Sequence, residues 1–174
     1  MDAERLVVQE VLVPHLDAAY NLARWLVERD KDAQEIVGES YLQALKRFGT
    51  RGPNPRAWLL TIVRNTAYKW LKKHPSDLSA AAIETPASTE FTLPSSLGPE
   101  SENQGRLVWE ALKTMPIELR EVLLLYEFEH WSYKELAANL KLPVDLVTTR
   151  LNSARQRLRR AIAEAQEKGL LDEL

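Results

Sequence analysis

Cysteine is absent from the 174 residues of this chain, and histidine is scarce. Without thiols, the chain alone can form neither a disulfide framework nor a zinc site with thiolate ligands. The three histidines (His15, His74 and His130) stand far apart, and the sequence contains neither a phosphate-binding glycine loop nor a nucleophile elbow. We therefore expect no metal site and no cofactor, and an enzyme is the least favoured class of function.

Long apolar runs are also missing. No stretch approaches the roughly 18 consecutive apolar residues that a membrane-spanning helix requires. The first residues, Met1 to Arg5, lack the basic start and the apolar core of a signal peptide. Hydrophobic residues make up 45% of the chain against 28% charged residues, which is typical of a protein that folds around a core. We expect a cytoplasmic protein with no membrane contact of its own.

Two stretches lack acidic residues altogether, although the whole chain has a net charge of -2. Between Glu39 and Asp77 the chain has eight basic residues and no acid, and between Asp145 and Glu164 it has five arginines and no acid. A basic stretch on one helix is most often a solvated face. Two such stretches, with acids placed elsewhere in the chain, favour contact with a polyanion such as nucleic acid.

Residues 1–73 are predicted to form helices joined by short turns, because apolar residues recur three and four positions apart. One helix covers about 16–27 and ends at a charged turn. The next is expected to begin at Asp32 and to end before Gly49, a residue type that commonly terminates helices. Its expected buried stripe is Ile36, Val37, Tyr41, Leu45 and Phe48.

A further helix is predicted after the turn 50–54, which is rich in helix-breaking residues. Asn54 is a suitable cap for this helix, and Pro55 fits its first position, where the missing N–H costs nothing. Trp58, Ile62 and Trp70 are expected to lie in the core of this first domain.

Residues 74–105 differ in character, because four prolines interrupt a run of Ser, Ala, Thr and Glu that has no sustained periodicity and no Lys or Arg. This composition predicts a flexible acidic linker. A loop packed on a domain, with a short helix near 79–83, is the alternative. The expected fold class is all-α, with two small helical domains (1–73 and 106–174) joined by this linker.

Residues 106–174 return to helical spacing and contain a helix-turn-helix pattern. Pro116 separates two apolar helices, and Ser132 with Glu135 can form a capping box that opens a short helix. A tight turn at Leu142 and Pro143 then precedes a long helix with five arginines. A plain helical hairpin would not need this concentration of arginine, so insertion of the last helix into the DNA major groove is favoured. The expected buried stripe of this helix is Val147, Leu151, Ala154, Leu158 and Ile162.

These patterns are similar to those of the extracytoplasmic-function (ECF) class of sigma factors, which belongs to the sigma-70 family. The two resembling parts occur in the family's order, and together they cover most of residues 16–163. The segments that resemble its second region are DAQEIVGESYLQA at 32–44 and AWLLTIVRN at 57–65. Those that resemble its fourth region are MPIELREV at 115–122, WSYKELA at 131–137 and VTTRLNSAR at 147–155.

The resemblance implies a sigma factor that binds core RNA polymerase and promoter DNA. Its second region would melt and read the minus-ten element. The helix near Asp32 would dock on polymerase through Glu35 and Glu39, although Gly38 replaces a customary Gln, and a solvated face is the alternative for the two glutamates. The implied minus-ten contacts are Phe48, Arg64, Asn65, Lys69, Lys72 and Lys73.

The fourth region would read the minus-thirty-five element with the last helix. The sequence of residues 145–150 is less basic than is common in the family, which implies an unusual recognised sequence. The resemblance also implies an anti-sigma protein as a partner. The implied minus-thirty-five contacts are Thr148, Thr149, Arg150, Asn152, Ser153 and Arg155.

Two other functions remain open at this point. A sigma-like decoy would occupy an anti-sigma protein without directing transcription, and the departures at Gly38 and Thr148 motivate it. A helix-turn-helix regulator that binds duplex DNA without polymerase would leave residues 32–73 unexplained.

Overall fold

A computed structural model describes residues 2–75 and 101–172, with side chains described for 3–75 and 106–169. The chain divides into two compact units, Met1–Ala81 and Ala82–Leu174. All regular elements within the described ranges are helices, so the predicted all-α class is confirmed. Most of the expected linker, including the short helix considered near 79–83, lies outside the described residues. In the two described ranges, no helix is both long enough and apolar enough to span a bilayer.

The first unit is a bundle in which α2, α3 and α4 pack against one another and α1 packs on α4. Leu12, Ile36, Leu60 and Val63 are fully buried in its core. Each aliphatic side chain of this size contributes about 1.5–3 kcal/mol through removal from water. The elements are α1 (Asp2–Leu12), a 3-10 turn (Val13–His15), α2 (Leu16–Val27), α3 (Asp30–Lys46), a second 3-10 turn (Phe48–Thr50) and α4 (Pro55–Lys73).

The helix α3 departs from its predicted bounds at both ends. It begins at Asp30 rather than Asp32 and ends at Lys46. Gly49 does not terminate it through a left-handed conformation, because Gly49 lies inside the second 3-10 turn without a positive φ. There the amide of Thr50 donates to the carbonyl of Arg47 at 2.9 Å. The last turn is thus closed by local hydrogen bonds that need no glycine.

The buried side of α3 also differs from the predicted stripe. Ile36 is buried as expected, but the predicted members Val37, Tyr41, Leu45 and Phe48 are only half-buried. The hydroxyl of buried Ser40 donates to the carbonyl of Ile36 at 2.6 Å, which removes the cost of burying it. Small side chains therefore lie where α3 meets the other helices, and the larger ones flank them. The residues buried on α3 are Asp32, Ala33, Ile36, Ser40 and Ala44.

The start of α4 agrees with the sequence pattern. The side chain of Asn54 accepts a hydrogen bond from the amide of Ala57 at 3.1 Å, and Pro55 is the first helical residue. Ile62 and Trp70 are buried as expected. Trp58 is only half-buried, so the prediction that it is a core residue is wrong. Its position on the helix turns it away from the side of α4 that packs on α2 and α3.

The second unit packs α5, α6 and α7 against α8. The helix α5 begins at Ser101, inside the segment that the sequence assigned to the linker. Pro116 precedes α6 as expected. Buried Arg120 closes the end of α5, because its Nη2 donates to the carbonyls of Lys113 at 3.0 Å and Met115 at 3.1 Å. The helices are α5 (Ser101–Lys113), α6 (Ile117–Glu127), α7 (Tyr133–Leu140) and α8 (Val144–Asp172).

The helices α7 and α8 form the helix-turn-helix. The predicted capping box is confirmed, since Ser132 accepts from the amide of Glu135 at 3.1 Å and Glu135 accepts from the amide of Ser132 at 2.7 Å. Lys141 ends α7 in the left-handed region, with φ 54° and ψ 48°. The amide of Leu142 then donates to the carbonyl of Ala137 at 2.9 Å. These bonds define a sharp turn into α8.

The inner stripe of α8 consists of Val147, Leu151 and Ala154, which are fully buried. Leu158 and Ile162, which were predicted to continue it, are only half-buried. The reason is one of length, since α8 has 29 residues whereas α6 and α7 have 11 and 8. The second half of α8 therefore extends beyond what these two short helices can cover.

Candidate nucleic-acid interface

In the first unit, α4 presents a basic face to solvent. Asn65, Lys69 and Lys72 recur four and three residues apart and are all exposed, as is Lys73. This spacing places them on one side of the helix, away from the buried side chains that face the bundle. No acidic residue occurs in α4. Lys72 and Lys73 also lie in its last turn, where cations stabilise a helix on their own account.

Arg64 lies at the edge of this face and is half-buried. Its guanidinium stands 4.0 Å from the centroid of the Tyr68 ring, and Nη1 donates to Oδ1 of Asn65 at 3.2 Å. The hydrogen bond leaves the amide nitrogen of Asn65 as an exposed donor group. Arg64 therefore fixes the orientation of Asn65 in addition to adding positive charge.

Phe48 lies in the 3-10 turn after α3 and is half-buried. The guanidinium of Arg51 stands 3.9 Å from the centroid of its ring and donates to the Phe48 carbonyl at 3.2 Å. A cation over an aromatic face contributes about 0.5–1 kcal/mol at an exposed site. Arg51 was counted among the basic residues from the sequence but was not assigned to the site. Its spacing of three from an aromatic residue is the signal that could have identified it.

In the second unit, α8 carries the other candidate residues. Thr149 and Asn152 are exposed, whereas Thr148 and Ser153 are half-buried. Each threonine hydroxyl donates to a carbonyl one turn earlier, Thr148 to Val144 at 3.1 Å and Thr149 to Asp145 at 2.9 Å. A hydroxyl has one donor and two acceptor positions, so each retains the capacity to accept a hydrogen bond.

The arginines among these candidates contact other parts of the second unit. Arg150 Nη1 stands 4.0 Å from Oε1 of Glu121, a fully buried residue of α6. Arg155 Nη2 stands 3.2 Å from Oε1 of Glu127, and its guanidinium lies 4.8 Å from the Tyr126 ring centroid. Burial acts to lower the pKa of Arg155, but hydrogen bonds to Tyr133, Glu127 and Tyr126 and the charge of Glu127 outweigh it and raise the pKa.

The expected polymerase-binding residues lie on the solvent side of α3. Glu35 and Glu39 are both exposed, and Gln43 donates to Glu39 at 3.2 Å. Gly38 stands between them with nothing within 4 Å of the position that a Cβ would take. Leu42 continues this face with 59% of its surface exposed, and sequence reasoning did not single it out. The helical spacing of Leu42 from Glu35 and Glu39 could have indicated from the sequence that this leucine belongs to the same face of α3.

Each group of candidate residues thus lies within one unit. The minus-ten and polymerase candidates belong to the first unit, and the minus-thirty-five candidates belong to the second. Among residues 3–75 and 106–169, no cluster of three or more His, Cys, Asp or Glu side chains could hold a metal ion.

A short capped helix, a left-handed turn and a long helix with five arginines define a helix-turn-helix DNA-binding protein. Its first unit matches the model described as "Sigma-70 region 2" over residues 11–75. Its second unit matches the model described as "Sigma-70, region 4" over residues 105–158. The chain belongs to the sigma-70 family of sigma factors, in its ECF class, whose members are non-enzymatic factors of transcription initiation.

Two curated relatives illustrate the similarity. The ECF RNA polymerase sigma-E factor of Salmonella typhimurium (strain LT2) is 30% identical over 136 residues, which cover 72% of this chain and 71% of that protein. The ECF RNA polymerase sigma factor SigE of Mycolicibacterium smegmatis is 25% identical over 164 residues. That match covers 89% of this chain but 61% of the relative.

Two solved structures share the fold. The sigma factor RpoE of Bartonella quintana, in complex with the anti-sigma factor NepR, has a TM-score of 0.71 at 22% identity, covering 89% of this chain and 96% of that one. CnrH, in complex with the cytosolic domain of CnrY, has a TM-score of 0.62 at 20% identity, covering 92% of this chain and 90% of that one. The predicted family is confirmed.

Proposed function

We propose that this chain binds core RNA polymerase and directs promoter-specific initiation, with the first unit reading the minus-ten element and the second reading the minus-thirty-five element. The observation that carries the proposal is the presence of one acid-free basic stretch in each of two units that match the family. Polymerase supplies the chemistry of RNA synthesis. The chain would act in the cytoplasm, where polymerase and promoter DNA are.

The first unit is proposed to hold the opened strand of the minus-ten element. Strand opening needs cations for the phosphates and groups that receive unstacked bases. The exposed amide of Asn65 is suited to hydrogen-bond a base edge, and the half-buried ring of Phe48 is suited to stack on one. The proposed phosphate contacts are Arg64, Lys69, Lys72 and Lys73, of which the three lysines are exposed.

The second unit is proposed to place α8 in the major groove of the minus-thirty-five element. The turn that ends at Pro143 leads directly into α8, whose first three residues, 144–146, are exposed, as base readout by a helix-turn-helix requires. The residues proposed to lie in or beside this interface are Thr148, Thr149, Arg150, Asn152, Ser153 and Arg155.

The solvent face of α3 is proposed to bind polymerase. Glu35 and Glu39 supply negative charge, and exposed Leu42 supplies apolar area on the same side of the helix. An interface of this kind combines an apolar centre with a polar rim. The open position at Gly38 leaves space there for a side chain of the partner.

An anti-sigma protein is proposed as a further partner. The support is that RpoE, a sigma factor of the same fold, was solved in complex with the anti-sigma factor NepR, and that CnrH, which shares the fold, was solved in complex with the cytosolic domain of CnrY. Binding of this partner would withhold the chain from polymerase. No membrane contact is proposed for the chain itself.

Substitution of Asn65 by Ala tests the division of labour. Asn65→Ala should reduce opening of the minus-ten element by polymerase carrying this chain roughly tenfold, because a hydrogen bond to a base edge is lost. Binding to the minus-thirty-five duplex should stay unchanged. Opening is measured by the reactivity of unpaired thymines, and duplex binding by the dissociation constant of the promoter complex.

Asn21→Ala is the matched control, since Asn21 is an exposed asparagine on α2 of the same unit. It should leave both measurements unchanged. Normal opening by Asn65→Ala, or an equal loss with both variants, would contradict the assignment of the minus-ten element to α4.

A further inference from the structure

The outer face of α8 consists of Asp145, Thr149, Asn152 and Gln156. These residues follow one another at intervals of four, three and four, and all four are exposed. The spacing places them on one side of the helix, opposite its inner stripe. None of these four residues is a cation, and the same side of the helix continues beyond Gln156 to the exposed Arg159 and Arg160. A helix entering the major groove presents its outermost side to the bases.

Arg150 and Arg155 lie on the flanks of α8 and contact α6. Arg150 faces the buried carboxylate of Glu121, and Arg155 is paired with Glu127 and packed on the Tyr126 ring. An arginine that turned toward a base would have to leave these contacts. For Arg150, this would separate the buried carboxylate of Glu121 from a cation, which is costly. For Arg155, it would break an exposed ion pair with Glu127 and the contact with the Tyr126 ring.

We propose that the outer face carries the base recognition of α8, with Asp145 as a specificity-determining residue, and that Arg150 and Arg155 are positioning residues. This proposal rests on the proposed function of the second unit in reading promoter DNA. It concerns which residues of that same interface select the sequence. The two arginines act by fixing α8 on α6 and thereby orienting the outer face.

The chemistry of Asp145 indicates the base that it selects. An ionised carboxylate only accepts hydrogen bonds. In the major groove, cytosine offers the N4 amino group as a donor, whereas guanine offers two acceptors that would repel the carboxylate. Adenine offers a donor, but its N7 acceptor lies beside it. Asp145 therefore favours cytosine, and the amide of Asn152 suits the donor and acceptor of adenine.

The dimensions and the charge around the outer face fit duplex DNA. Asp145 and Asn152 lie about 10 Å apart along the helix axis, which corresponds to about three base steps of 3.4 Å. Exposed cations stand on both sides of this segment, with Lys141 in the preceding turn and Arg157 and Arg160 further along α8. Such cations can hold the two phosphate backbones while Asp145, Thr149, Asn152 and Gln156 meet the bases.

Asp145 also lies in the first turn of α8, where an acid stabilises a helix whether or not DNA is present. The two roles differ in what Asp145→Asn changes. A purely helical role affects all DNA sequences equally. A reading role changes the preference at one base pair.

The test uses core polymerase carrying the full chain and a promoter library that varies each minus-thirty-five base in turn. Asp145→Asn should lower the preference for cytosine at one position about tenfold. It should also bind all sequences more tightly, because one negative charge near the phosphates is lost. Glu164→Gln is the matched control, since Glu164 is an exposed acid further along the same helix, and it should leave every preference unchanged. Arg150→Lys should weaken binding to all sequences without altering their order.

An unchanged base preference with Asp145→Asn would overturn the inference, as would a changed preference at one position with Arg150→Lys. Either result leaves the proposed function in place, provided that the wild-type chain enriches a minus-thirty-five element. If the wild-type chain enriches no such element, the proposed function itself fails, and the inference fails with it.

Discussion

Glu121 is fully buried in α6, where an ionised carboxylate is stable only if nearby cations and hydrogen bonds compensate for the lost water. The guanidinium of Arg150, at 4.0 Å, is one source of that compensation. At this separation the attraction is about 4 kcal/mol for an effective dielectric constant of about 20, and the cost of desolvation offsets most of it. The main effect of the pair is therefore to link α8 to α6, and its net contribution to stability is small.

Arg150→Ala is expected to destabilise the second unit by about 1–2 kcal/mol, because it removes a cation from a buried carboxylate that stays in place. Amide hydrogen exchange measures the effect locally. Exchange should become faster in α6 and α8 and stay unchanged in α2, α3 and α4. Arg157→Ala, at an exposed arginine of the same helix, should change little. Equal protection in the Arg150→Ala variant and the wild-type chain would show that the pair has no structural role.

At the scale of single elements, Lys141 occupies a conformation that favours glycine. Its φ of 54° allows the chain to turn from α7 into α8 within a few residues. A residue with a Cβ pays roughly 1–2 kcal/mol for the left-handed region. The turn is nevertheless retained, because the bonds from the amides of Lys141 and Leu142 to Ala137 close the end of α7.

Lys141→Gly is expected to raise the unfolding free energy of the second unit by up to about 1 kcal/mol, since the strain exceeds the added flexibility of glycine. Lys134→Gly is the matched control, because Lys134 is an exposed lysine in the interior of α7. There the same chemical change should cost about 1 kcal/mol. Denaturant unfolding of the two variants measures whether each substitution raises or lowers the unfolding free energy. A loss of stability in both would mean that Lys141 carries no strain.

Local patterns predicted local features of these elements well. The caps at Asn54 and Ser132 and the break before α6 at Pro116 each depend on residues within one turn, and all are present in the structure. The buried side of α3 and the exposure of Trp58 were predicted wrongly. The first depends on how closely helices distant in sequence approach one another, which apolar spacing does not encode, and the second depends on which side of α4 faces α2 and α3.

The candidate sites show the same difference between features set by nearby residues and features set by residues distant in sequence. Charge counting located both basic stretches, and the helical period placed Asn65, Lys69 and Lys72 on one exposed face. The contacts of Arg150 and Arg155 could not be foreseen, because their partners are on another helix. The resemblance to the family implied a DNA contact for both arginines, and the structure gives each a carboxylate partner within the second unit.

At the scale of the whole molecule, the distribution of charge along the chain matters more than the net charge. The chain is nearly neutral, with 23 basic and 25 acidic side chains, yet each unit has a long stretch with cations only. A low net charge limits non-specific attraction to DNA, while local basic surfaces still bind phosphates. This arrangement suits a factor whose affinity for DNA comes mainly when it is joined to polymerase.

Run-off transcription tests the central claim most directly. Core polymerase alone and core polymerase with this chain are given promoters that the complex has selected from a random library. The account predicts discrete transcripts that appear only when the chain is present and that fall strongly with Asn65→Ala. The absence of transcripts from every selected promoter would contradict the account. In that case, a stable complex with an anti-sigma protein would identify a decoy, and a specific footprint without binding to polymerase would identify an independent helix-turn-helix regulator.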